Sequence, residues 1–398
     1  MTSQSRRNFL MASAPGAAAL GMVATTPAQA ALAAGAGAFD VTDHGAAGDG
    51  ATPCGDAFQR AIDAAEAAGG GVVRIPPGTY LLDKTPFIAS RVHLMGSGAA
   101  TVLRGTRPEG AEGAALISNK GQQAPRYDGA HDWSISHLAI DSPQTNGIVI
   151  THAARVYVGF IYGIDVYNHF VDTVGRDILC ENLFLTGRSG TSSFQIDSIH
   201  GAQTTWDGEQ AVAPLRDGTD TEDLILRNSI ITAVAGHEGD RPQHDASIHF
   251  HGSEAKGFSF SDLILGGAAT GFYQDGNTLY HDIQINNVRS TNPGRAIWFN
   301  PGRTGQRNLM IRGLQYAPES NEAGKSIEIH GRDGLILSDS QLEVPGECVA
   351  AIEIAASQRV SIHGVQARGK GGVGIQLTES DAEVHACHLD GFDTDTAQ

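Results

Sequence analysis

Four cysteines among 398 residues (Cys54, Cys180, Cys348 and Cys387) are too few for a disulfide-built scaffold, and their spacing fits no zinc motif. Cys180 lies in an apolar run and reads as a small buried residue. Helical periodicity is scarce beyond one segment near the N-terminus, which excludes a helical bundle. Basic residues number 27 against 44 acidic ones, a net charge of −17, and phosphate binding needs a basic face. Nucleic acid is therefore excluded as the expected partner. No run is long and apolar enough to span a bilayer, so no membrane partner is expected either. Aromatics make up 6% and charged residues 18%, while glycine reaches 50. That balance suits a strand-and-turn protein and not a disordered chain.

The first 30 residues read as an address. Ser5-Arg6-Arg7-Asn8-Phe9-Leu10 precedes a short, Ala-rich apolar run, and Ala28-Gln29-Ala30 offers a small-residue cleavage site. Paired arginines in that setting predict a twin-arginine export signal and a periplasmic or secreted protein.

Short strands of one shape then recur about every 25 residues, the mark of a repeat architecture. Phe194-Gln195-Ile196-Asp197, Ile248-His249-Phe250-His251, Phe272-Tyr273-Gln274-Asp275, Ile297-Trp298-Phe299-Asn300 and Ile327-Glu328-Ile329-His330 align beneath one another. The first and third positions are apolar except at Gln274. Alternate side chains of a strand point to opposite faces, so these positions predict a core and the second and fourth an outer wall. Further strand-like runs, among them Leu224-Ile225-Leu226, Phe258-Ser259-Phe260 and Ile283-Gln284-Ile285, fall between the aligned ones. The fold predicted is all-β: a single-stranded parallel β-helix in which each coil buries its apolar positions against its neighbours. Two stretches interrupt the period, at about 199–223 and 235–246, and long excursions from a regular coil are usually functional or disordered.

Ahead of the coils, the pattern predicts a helix from about Gly55 to Ala68, with Ala57, Phe58, Ala61, Ile62 and Ala65 on one face. Thr52 is the expected cap and Pro53 the expected first position. Gly69-Gly70-Gly71 ends it, leading into a strand, the reverse of a phosphate-binding loop. Phe39-Asp40-Val41-Thr42-Asp43-His44-Gly45, this helix and Val72-Val73-Arg74-Ile75-Pro76-Pro77-Gly78-Thr79-Tyr80 together resemble the N-terminal cap of the pectate-lyase-like superfamily. The resemblance covers about Phe39 to Gly98. It implies a right-handed parallel β-helix related to polygalacturonase-type glycoside hydrolases, with a capping segment over 31–98 and coils over 99–398. The family's Asn-Thr-Asp strand has its counterpart at Gln144-Thr145-Asn146, with Asn in place of the acid, and His244-Asp245 stands where a double Asp would. No Arg-Ile-Lys is found, so no catalytic residue is carried over.

The outer wall supplies its own candidates. Asp197, His251 and Asp275 share one outward column, which places the two aspartates roughly 9–10 Å apart at the backbone with the imidazole between them. Inverting glycosidases separate acid and base carboxyls by a similar distance. Asp245 is a rival for one carboxyl role. His249, Tyr273, Trp298, Arg295, Gln195, Asn300, Trp206 and Arg241 are candidate substrate contacts, since flat aromatic faces suit sugar rings and arginines suit anionic groups. Arg289, Arg303, Arg307 and Arg312 complete the basic concentration around Arg295. His249 and His251 share a face, but no third metal ligand is forced, and Asp217 to Asp223 lacks calcium-loop spacing, so neither metal nor cofactor is expected.

The expected partner is a polysaccharide or oligosaccharide. Hydrolysis by a carboxylate pair is the leading expectation. The alternatives are β-elimination of a uronate glycan using an imidazole, Lys256 or an arginine as base, intramolecular glycosyl transfer, and glycan binding without catalysis.

Overall fold

The computed structural model describes residues 38–107, 114–190, 192–199, 205–209, 211–235, 245–299 and 302–398. Residues 1–30, read above as an export signal, together with Arg241 and Asn300, lie outside the described residues.

Strands follow one another from Ala38 to Ala397, and the pairings of the large sheet are parallel, each strand bonded to its counterpart one coil earlier and one later. The chain is thus a β-solenoid. Ile, Val, Leu and Phe fill its interior: Phe250, fully buried, meets Phe258, Phe260, Tyr280 and Phe299 edge-on at 5.0–5.6 Å. Burying each such side chain is worth about 1.5–3 kcal/mol relative to exposure.

Corners between strands are made by single residues in the left-handed backbone region, and these stack as columns. Asp132, Arg155, Asp177, Asp223, Gly257, Asp282, Asn308, Gly334 and Arg359 form one such series, with φ between 51° and 84°. Asn and Asp tolerate this region, and their short side chains bond along the column, as Asn308 Nδ2 does to Asp282 Oδ1 at 2.6 Å.

Among the described residues one α-helix, α1, spans Gly55–Ala67 and buries Ala57, Phe58, Ala61, Ile62 and Ala65 as the periodicity predicts. Its start differs from expectation. Thr52 and Pro53 belong to the preceding strand, where Asp49 binds the Thr52 hydroxyl, and the Gly55 amide is instead satisfied by Asp83 Oδ1 at 3.1 Å. Gly70 closes the helix at φ 123°, where an added Cβ would stand 2.6 Å from the Arg91 carbonyl. Among the described residues no helix is long and apolar enough to cross a membrane.

Candidate functional site

The aligned strands become rungs of one wall: β1 (Ser192–Asp197), β2 (Ala246–His251), β3 (Thr270–Gln274), β4 (Arg295–Phe299) and β5 (Ile327–His330). Phe194, Ile248, Phe272, Ile297 and Ile327 are in register on the inner face; Gln195, His249, Tyr273, Trp298 and Glu328 are in register on the outer one. Since β1 pairs directly with β2, the two interruptions are excursions within one coil and add none. Asp197 therefore stands opposite His251. Asp275 lies just past β3, and its amide bonds to the Phe250 carbonyl at 3.1 Å, which keeps it beside His251 on the other side.

His251 lies between the two acids, with Nδ1 3.1 Å from Asp197 Oδ1 and Nε2 3.3 Å from Asp275 Oδ2. Its side chain is 45% exposed, while Asp197 is 7% and Asp275 19% exposed. The hydrogen bond to Asp197 lifts His251 from 6.5 to about 9, against the opposing effect of burial, and the charges of Asp197, Asp275 and Asp172 add to it. Asp197 is itself held by Gln195 Nε2 at 3.0 Å and the Ser198 amide at 2.7 Å. His249 Nε2 is 3.2 Å from Asp275 Oδ1, and the His249 and Tyr273 rings are 5.1 Å apart. Burial, followed by the neighbouring Asp275, pushes Tyr273 up to about 12, so its phenol is a proton-bearing group at neutral pH.

Beyond Tyr273 the wall continues through Trp298, 5.0 Å away, on which the Arg295 guanidinium stacks at 4.5 Å. Arg295 pairs with Glu328 at 2.8 Å, and Lys325 bridges Glu328 and Glu353 at 3.1 and 2.8 Å. Glu328 is held below its ordinary value although burial opposes this, because Arg295 and Lys325 flank it. Glu328, His330 and Glu353 bring possible metal-ligating atoms within 4.8 Å of one another, but Lys325 already supplies the cation there.

Several expectations require correction. Asp245 sits at the opposite end of β2 from His251, roughly 20 Å along the strand at about 3.3 Å per residue, and its carboxylate accepts the Ala269 amide at 3.0 Å. It is a turn-holding residue and no rival for the carboxyl roles. Trp206 belongs to a small hairpin, Thr205–Trp206 against Ala211–Val212, whose backbone bonds to Thr85 near α1, several coils away. The described hairpin of the excursion thus lies over earlier coils, while its last residues return to the wall, where Asp220 Oδ1 accepts the Ser253 amide at 2.7 Å. Gln195 and His249 are outward in register yet 7% and 2% exposed, so they hold acids in place and offer little surface to a ligand. Arg289, Arg307, Arg312 and Lys256 lie on strands of other faces, whereas Arg295 opens β4 of the wall.

Residues that sequence reasoning passed over include Asp172, in register with Gln195, and His169, whose Nδ1 is 2.8 Å from the Ser192 carbonyl. Burial drives His169 down to about 4, so it is neutral. Asp172 carries the outward pattern one coil earlier, a signal that was present in the column. Glu353 likewise continues the outward column one coil after Glu328, whereas Lys325, ahead of its strand, gave no such signal.

The parallel β-solenoid agrees with the right-handed β-helix that the N-terminal resemblance to the pectate-lyase-like superfamily implies. The A-module of mannuronan C-5 epimerase AlgE6 from Azotobacter vinelandii superimposes with a TM-score of 0.62 at 15% identity, covering 90% of this chain and 96% of that one. The Streptococcus pneumoniae surface adhesin PfbA superimposes with a TM-score of 0.65 at 16% identity, covering 91% and 93%. The rhamnogalacturonase A/epimerase, pectate lyase-like family model matches residues 38–298, and the chain belongs to that family. In sequence, alginate lyase 7 of A. vinelandii is 35% identical over 133 residues, 31% of this chain and 15% of the lyase. AlgE6 is 29% identical over 217 residues, 48% of this chain and 24% of the epimerase. The chain thus spans under a quarter of the length of both enzymes.

Proposed function

We propose that the protein is an exported polysaccharide-processing enzyme that handles a uronate-containing glycan on the β1–β5 wall. The observation that carries this reading is His251. Of the three coupled groups it is the most exposed, and the carboxylates that flank it are the least accessible. A sugar lying on the wall meets the imidazole and the Tyr273 phenol before it meets either acid. Once its proton has passed to solvent, the neutral His251 imidazole removes a proton from the carbon next to the sugar carboxylate, leaving the electron pair on that carbon. The C4–O bond breaks as the ring double bond forms, and Tyr273 gives its proton to the departing oxygen. Arg295 and Trp298 bind the adjoining sugar, the ring by stacking and an anionic group by charge. The family model and the lyase and epimerase relatives support a glycan substrate, and proton removal at that same carbon also opens the way to epimerisation.

Hydrolysis by Asp197 and Asp275 is the second reading, favoured by their placement on either side of one rung. Incubation with uronate and neutral polysaccharides separates the outcomes. Ultraviolet-absorbing unsaturated ends identify elimination, and new reducing ends without absorbance identify hydrolysis. Altered sugar configuration by NMR without cleavage identifies epimerisation, and binding with no product overturns the enzymatic reading. Export is tested by cell fractionation of an Arg6→Lys, Arg7→Lys variant, which should remain in the cytoplasm.

A further inference from the structure

The interior of the solenoid behind this wall holds a charge that an apolar core does not need. Arg332, at the start of the strand Arg332–Ser338, is 1% exposed, and no described carboxylate pairs with it. Its Nη2 donates to Gln274 Oε1 at 2.8 Å, its Nη1 to the Tyr280 carbonyl at 2.5 Å, and its guanidinium lies 5.4 Å from the Phe299 ring. Burial lowers it to about 9. A buried cation is costly unless its hydrogen bonds are well met, so its retention calls for a use.

The bonds lead outward to the three coupled groups. Gln274, the single break in the inward apolar column, adjoins Asp275 in the chain and donates to Thr278 Oγ1 at 2.9 Å and Gln306 Oε1 at 2.6 Å. Thr278 Oγ1 in turn donates to the Asp275 carbonyl at 2.8 Å. The Tyr280 hydroxyl accepts the Gly252 amide at 2.6 Å and donates to the Ile196 carbonyl at 3.3 Å. Gly252 follows His251, and Ile196 precedes Asp197. One guanidinium therefore reaches, through Gln274 and Tyr280, the backbone beside Asp275, His251 and Asp197, each on a different coil.

We propose that Arg332 is a positioning residue that sets the alignment of Asp197, His251 and Asp275 from inside the wall, an inference that rests on reading those groups as the reacting ones. Without it, Gln274 and the Tyr280 carbonyl lose their donor, and the three rungs relax independently. The Gln274 break in the apolar pattern is then a requirement of the site.

The test uses Arg332→Met and Tyr280→Phe in the full chain, with two readouts: the titration of the His251 imidazole by NMR and steady-state kinetics on whichever polysaccharide the wild type processes. Both variants should move the His251 midpoint down toward 6.5 and lower kcat, by up to about a hundredfold for Arg332→Met, with KM within about twofold. Arg332→Lys should recover part of the loss. An unchanged His251 titration in cooperatively folding variants overturns the proposal even if no substrate has been found. Altered titration with no turnover on any glycan upholds the positioning and overturns the reaction assigned above. Should Arg332→Met not fold, Gln274→Met, which removes the side chain through which Arg332 reaches Asp275, decides the matter with the same two readouts.

Discussion

Asp197 Oδ1 lies 3.1 Å from His251 Nδ1, across a coil that contains both excursions and 54 residues of chain. The pairing makes stability depend on pH. His251 is raised from 6.5 to about 9 on folding, so the folded state binds more protons between those values. Its contribution is complete below about 6.5 and is lost as pH rises through about 9. Urea midpoints of the wild type should fall over that interval relative to neutral pH, and those of His251→Gln should stay flatter. Equal slopes would show that the ion pair does not form.

Catalysis should respond unequally to the aspartates. Asp197→Asn and Asp275→Asn are each expected to lower kcat by about 10²–10⁴-fold, the usual scale for groups that support proton transfer. Asp245→Ala should leave kcat nearly unchanged and cost about 1 kcal/mol in unfolding free energy through the lost bond to the Ala269 amide. A large kcat effect at Asp245 would move the site along the wall.

Trp298→Ala removes the surface on which Arg295 stacks. An aromatic contact of this type is worth about 0.5–1.5 kcal/mol, so KM should rise roughly two- to tenfold with kcat little changed. Trp298→Phe should recover most of the affinity. Titration calorimetry with an oligosaccharide would check this without turnover.

The long excursion is tied down by Asp217. Its carboxylate accepts from the Arg126 amide at 2.8 Å and the Thr219 amide at 3.0 Å, and His152 Nε2 is 3.2 Å away and fully buried. These bonds hold Asp217 below the usual carboxylate range although burial opposes it. Its contribution is present above the ordinary value and is lost only as pH falls well below it. Asp217→Ala should cost about 1 kcal/mol, since it removes the acceptor of the part-buried bonds from Thr219 and His152. Limited proteolysis should cut within the excursion faster than in the wild type.

The architecture was legible because each coil repeats the same inward columns, and one register error would have turned every apolar residue outward. Asp197, His251 and Asp275 could be aligned on that basis alone. The path of the described part of the first excursion was not legible, because it is set by bonds to remote residues such as Thr85, Gln122 and Arg126, which carry no periodic signal. Nor was burial of the outward columns: Gln195 and His249 occupy outward positions yet are almost wholly buried. Gln274 showed as an irregularity in the pattern, and its cause, Arg332, lies two coils further along.

The three groups around His251 come from separate rungs, and the distance between rungs is fixed by amide-to-carbonyl bonding along the ladder. That interval is insensitive to side-chain identity. A wall of this type works like a ruler whose graduations can be relabelled one at a time: exchanging a single residue changes the chemistry offered at one mark and leaves the spacing to every other mark as it was.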